Sequence, residues 1–133
     1  MTRTPRCRNP LLAPVAAAVF ACALLLSACF APAQPPSDPA RITGSVTSVV
    51  SGDGRPASML VESTGTPAGA ISDKAQVNIP PATMFFGPDG MAATLDSIGH
   101  IAAGTHVRVW FEGAVAESYP VQGSAKAVQI LGK

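Results

Sequence analysis

A small all-β barrel of five strands, with one short helix between the third and fourth, is the fold this sequence predicts. Three observations carry it. From Arg41 onward, short β-branched runs are separated by clusters of Gly, Pro, Asp and Ser, the punctuation of many short strands. Val107, Val109 and Phe111 alternate with His106, Arg108 and Trp110, which is the period-two pattern of a half-buried strand. Leu95, Ile98 and Ile101 fall instead at helical spacing and interrupt the strands once.

The elements follow in order. In strand one, Ile42–Val50, the apolar side chains at Ile42 and Val46 slip by one to Val49, and Gly44 lies inside the run. Such a slip predicts a long strand that bends at a glycine or a bulge, as closing a small barrel requires. Ser51-Gly-Asp-Gly-Arg-Pro56 is a turn, because Gly and Asp tolerate positive φ. Strand two, Ala57–Ser63, completes a hairpin with strand one. After a loop over Gly65–Ser72, Lys74–Ile79 forms strand three with Ala75, Val77 and Ile79 on one face. Pro80-Pro81 stops it, since proline offers no N–H to a ladder. Thr83–Phe86 is a short extension before the turn Gly87-Pro-Asp-Gly90.

Thr94–Ile101 predicts a helix of two turns or fewer. Its start, Thr94 with Ser97 three residues on, is a poor capping box, since it lacks the usual Glu or Gln. Strand four is the alternating His106–Phe111 run, ended by Gly113. Ser118-Tyr119-Pro120 marks a corner, and Ala125–Leu131 returns as strand five with Val128 and Ile130 facing in. Three strands, a helix and two strands is the order of the OB barrel, in which the helix plugs one end. An open β-roll or partial sandwich of similar strand count is the alternative.

The chain ahead of this domain is of a different kind. Arg3, Arg6 and Arg8 precede an apolar run from Leu11 to Leu26, and Leu26-Ser27-Ala28-Cys29 closes it. A basic head, an apolar segment and small residues before a cysteine make a bacterial lipoprotein signal. The run is shorter than the ~20 residues of a spanning helix and contains Pro14, so cleavage before Cys29 is expected rather than a retained anchor. Two or three acyl chains on Cys29 give stable attachment where one is marginal. The expected division is a removed signal over 1–28, an acylated cysteine and proline-rich tether over 29–40, and the barrel over 41–133. As an extended spacer at ~3.1 Å per residue, Phe30–Pro39 would hold the barrel roughly 30 Å from the bilayer. The mature protein would be exported and lipid-anchored to the cell membrane or the outer membrane. Phe30 after the cysteine, in place of an inner-membrane aspartate, leans towards the outer one where two membranes exist.

Cleavage also changes the global properties. Six basic residues then face eight acidic ones, a net charge of −2. A weakly acidic domain lacks the field that draws phosphates, so nucleic acid is not expected as a partner. Cys7 and Cys22 leave with the signal, and the domain has no disulfide although its compartment permits one.

The segments Val107-Arg-Val-Trp-Phe-Glu-Gly113, Glu117-Ser-Tyr-Pro-Val-Gln122 and Ala125–Ile130, with Ile42-Thr-Gly-Ser-Val46 and Leu60-Val-Glu62, resemble the YobA-like group of small exported bacterial proteins. Members are often lipoproteins, and their domain has no established function. The resemblance spans nearly all of the mature domain. It implies an OB-like barrel and supplies no catalytic or binding residues.

Trp110 faces away from Val109 and Phe111. On one reading it forms, with Arg108, Tyr119 and Gln122, a ligand surface of the kind OB barrels present on one sheet face. On the other, favoured reading it is covered by the Gly113–Gln122 loop, with Tyr119 and Pro120 packed on it. His100 and His106, with Asp96, are the material for an alternative reading as a metal protein or hydrolase. Two histidines across a Gly-containing loop fall short of the three or four closely spaced ligands of zinc sites. Asp53 and Asp89 lie in Gly-flanked turns and are read as turn formers. Glu62, Glu112 and Glu117 are not brought into a pair by spacing. No Gly-x-Ser-x-Gly, phosphate loop or nucleophilic cysteine is present. The expected function is therefore a non-enzymatic binding or accessory module without metal or cofactor, its partner a peptide, glycan, small ligand or envelope protein.

Overall fold

The computed structural model describes residues 31–65 and 72–133. The expected signal over 1–28, Cys29 and most of the Gly65–Ser72 loop lie outside them. The elements are β1 Ile42–Gly52, β2 Arg55–Ser63, β3 Lys74–Asn78, β4 Met84–Phe86, β5 Ala92–Ala93, α1 Leu95–Ile98, β6 His106–Phe111 and β7 Val121–Gly132. They form one sheet in the order β3-β2-β1-β6-β7-β4-β5, and an additional β3–β7 pairing closes it on itself. The closed ring β1-β2-β3-β7-β6 with one short helix is a small OB-like barrel, as the strand order predicts.

The long first strand is what closure demands. Gly44 pairs with Ser63 of β2 on one side and with Val107 of β6 on the other. A Cβ at this position would lie 1.9 Å from the Glu62 carbonyl oxygen, so only glycine permits the approach of β2. The ladder then shifts register between Val46 and Ser48, which is the bulge behind the slip from Val46 to Val49. At the hairpin end, Asp53 and Gly54 take φ of 52° and 76° between the paired Gly52 and Arg55. A two-residue turn with both φ positive matches the right-handed twist of the strands it joins.

β7 begins four residues earlier than its alternation suggests. Val121–Ser124 run parallel to Ala75–Asn78, and this pairing seals the barrel. Further along, Ala127–Gln129 pair in parallel with β4, while β4 also pairs antiparallel with β5. The Thr83–Phe86 extension is thus half of a small hairpin, and Ala92-Ala93 supply its partner. The helix is a single turn, ended by Gly99 at φ 75°. Its capping box forms with Ser97 in the role of Glu: the Thr94 N–H donates to Ser97 Oγ at 2.9 Å and the Ser97 N–H to Thr94 Oγ1 at 3.2 Å.

The inward side chains of all five barrel strands meet in one core, among them Ile42, Val61, Val77, Val109 and Val128, with Leu95 of α1 packed against it. Burial of each such side chain stabilises by about 1.5–3 kcal/mol. Phe86, Trp110 and Ala127 form a second, smaller cluster, against which Ala40 packs.

Candidate functional site

Strand alternation sends Trp110 to the outer face of β6, where its cross-strand partner is Ala127 of β7. Phe86 reaches the same cluster from β4. This outer apolar patch is not left to water. Trp110 is only 7% exposed, and its indole N–H donates to the carbonyl oxygen of Asp38 at 2.7 Å. Ala40 packs beside it, and the Arg41 N–H donates to the Val109 carbonyl at 2.9 Å. Residues 35–40 therefore lie along the barrel as a strap, and contacts group Pro32–Lys133 into one unit.

This corrects two expectations. Trp110 is covered by the proline-rich segment, not by the Gly113–Gln122 loop. That loop packs elsewhere: a Cβ on Gly123 would meet Phe111 Cδ1 at 2.7 Å and Val115 Cγ1 at 2.9 Å, so Val115 closes over the far end of β6. The stretch from Pro35 to Ala40 is also no free spacer. Proline-rich chain is already extended before it docks and loses little entropy on an aromatic surface, which is why this composition serves as a cover.

The four proposed surface residues separate into two places. Arg108 and Trp110 border the strap. Tyr119 is 71% exposed and its hydroxyl donates to Asp73 Oδ2 at 3.1 Å, while Gln122 pairs with Gln76 at the β3–β7 seam. Beside them the Lys74 ammonium lies 2.9 Å from Glu62 Oε1. The hydrogen bond to that carboxylate, together with its charge, holds the Lys74 pKa above the ordinary lysine value.

Hollows flank the strap on both sides. One, of about 580 Å³, is lined by Pro35, Asp38, Thr43, Arg108, Trp110 and Gln129. The other, of about 380 Å³, is lined by Pro36, Asp38, Arg41, Trp110, Phe111 and Lys126. Gln129 is held in place by donating its side-chain N–H to the Gly87 carbonyl at 3.2 Å. Each hollow thus combines an aromatic edge, a cationic side chain and hydrogen-bonding groups, with Asp38 the one carboxylate among the lining residues. Such a lining offers hydrogen bonds and a positive charge beside one aromatic edge. Strand alternation points to Arg108 and Trp110, whereas nothing in the sequence pattern marks Asp38, Arg41, Thr43, Lys126 or Gln129 as their neighbours. The available signal was an outward tryptophan in a chain whose only proline-rich run lies just before β1.

His100 and Asp96 line one small hollow beside the helix, and among the described residues no group of three or more His, Cys, Asp or Glu is placed to hold a metal ion. Asp53 forms the β1–β2 turn, and Asp89 Oδ1 accepts the Met91 N–H at 3.0 Å within its own turn.

Comparison with known proteins adds one match. A family described as a protein of unknown function, DUF3221, matches residues 69–132, a span that runs from ahead of β3 to the end of β7. No curated protein and no solved structure matches the chain.

Proposed function

We propose that this chain is a membrane-anchored envelope lipoprotein, acylated at Cys29, whose OB-like barrel is a non-enzymatic binding or accessory module. The observation that carries the binding role is the roughly 580 Å³ hollow between the strap and β6. There the exposed Arg108 stands beside Trp110, Thr43 and Gln129, a lining suited to a peptide or glycan with carboxylate or hydroxyl groups. The anchoring rests on the basic, apolar and small-residue order that ends at Cys29. The resemblance to YobA-like exported proteins supports the same placement.

Purification of the intact protein from its native envelope tests both parts. Mass spectrometry should find a mature chain that begins with an acylated Cys29; an unprocessed or unacylated terminus overturns the anchoring. A partner or ligand should co-purify with the native protein and be lost from folded Arg108→Ala. Equal recovery with both overturns the assignment of the hollow.

A further inference from the structure

The strap does more than cover Trp110, because it fixes where the chain leaves the barrel. Ala33 lines a hollow of about 310 Å³ together with Met84, Phe86, Ala92, Thr94 and Leu95. The path from the membrane therefore reaches the domain at the β4–β5 hairpin. Between Cys29 and Ala33 there are four Cα–Cα steps, a reach of at most ~15 Å at 3.8 Å per step. If the whole proline-rich segment were extended, the barrel could turn any face to the lipid. With residues 35–40 pinned to β6, the hairpin stays within that short reach of the acyl chains.

The surface found there is apolar. Met84 and Met91 are 43% and 51% exposed, and they are two of the four large hydrophobic side chains left to solvent among the described residues. Methionine is unbranched and polarizable, and it adapts to irregular apolar surroundings. Arg55 lines the same hollow and brings a cation to the level of anionic headgroups. Asp89, at the hairpin tip, is engaged with the Met91 N–H. A domain of net charge −2 has no long-range attraction to an anionic surface. The contact thus depends on the high local concentration that a short tether creates.

We infer that the β4–β5 hairpin is the face this domain turns to the bilayer, with Met84 and Met91 entering the headgroup layer. The inference rests on acylation of Cys29, as proposed above, and adds an orientation to it.

The test uses the full, acylated protein reconstituted in vesicles of phosphatidylethanolamine and phosphatidylglycerol. Once Cys29 is acylated and the signal removed, Met84→Cys and Tyr119→Cys each carry one thiol for a fluorescent label. Tyr119 is the comparison site, because Val121 and Ala127, the β7 partners of β3 and β4, are separated by roughly 20 Å of strand. The label at position 84 should be quenched by lipid-borne nitroxide and shielded from aqueous iodide, and the label at 119 should show the reverse. Met91→Asp, with the label kept at position 84, should return that label to water while the protein stays vesicle-bound. Equal access of iodide to both positions on vesicle-bound protein overturns the orientation and leaves the anchor standing. Protein that fails to bind vesicles, with an unmodified Cys29 by mass spectrometry, overturns both. Shielding at 84 that persists in detergent-free solution of the unacylated domain means self-association, and also overturns the orientation.

Discussion

The Trp110 indole N–H donates to the Asp38 carbonyl at 2.7 Å, joining residues 72 apart in sequence. With the packing of Ala40 and the Arg41 N–H bond to Val109, this bond makes the segment ahead of the barrel part of it. Replacing Trp110 by Phe removes a hydrogen bond worth about 1 kcal/mol and should loosen the strap without unfolding the barrel. Trp110→Ala also deletes the ring from the Phe86–Ala127–Ala40 cluster and should cost about 3–5 kcal/mol. Denaturant melts of both variants check the difference. In the native protein, truncation of the chain to start at Arg41 should shift tryptophan emission to the red.

The two tightest glycines should respond differently to a methyl group. At Gly44 the new Cβ meets the backbone oxygen of Glu62 at 1.9 Å, and backbone cannot step aside. Gly44→Ala should therefore reach or exceed the ~3 kcal/mol upper end of ordinary overpacking. At Gly123 the neighbours are the side chains of Phe111 and Val115, which can rotate, so Gly123→Ala should cost nearer ~1 kcal/mol. Equal losses in urea melts would contradict this account.

Thr83 is buried and its hydroxyl donates to the Ala125 carbonyl at 3.0 Å, just where β7 leaves regular register with β6 between Trp110 and Phe111. Thr83→Val keeps the shape and removes the donor. A loss of about 1–3 kcal/mol is expected for the carbonyl left without it. Thr83→Ser should retain most of the stability.

The Lys74–Glu62 pair gives a pH prediction with a definite sign. Its first cause is the hydrogen bond from Lys74 to Glu62, followed by the carboxylate charge, with smaller contributions from Tyr119 and Asp73. A lysine pKa raised in the folded state favours folding below the ordinary lysine value, and that contribution is lost as pH rises through the folded-state pKa. Because the pair is solvent-screened, Glu62→Gln should barely move the melting temperature at neutral pH. It should lower the Lys74 titration towards the ordinary value, as followed by NMR of its side-chain resonances.

The barrel was legible where side-chain period and backbone geometry agree. His106–Phe111 has both, and the Asp53-Gly54 turn states its φ values in its composition. β5 was not legible, because Ala92-Ala93 has no β-branched side chain and owes its strand geometry to pairing with β4. The start of β7 was hidden for a related reason. Gln122, Gly123 and Ser124 carry no apolar signal, and what orders them is the parallel ladder to β3. Of the candidate site, the outward tryptophan and Arg108 could be read from alternation alone. The identity of the cover could not, since a proline-rich stretch looks the same in sequence whether it dangles or docks. The expectation of one ligand-binding sheet face puts Tyr119 and Gln122 beside Trp110, whereas the turn at Ser118–Pro120 carries them to the β3 side.

The ring closes only through strands far apart in the chain: Ile42 meets Val109, and Ala75 meets Val121. Early strands consequently wait for late ones, and topologies of this type commonly fold in ~milliseconds to seconds rather than microseconds. A polypeptide emerging from a ribosome keeps β1 unfinished until β6 has been synthesised. If the chain is exported as proposed above, that delay keeps it a loose strand while it is threaded through a narrow translocation channel.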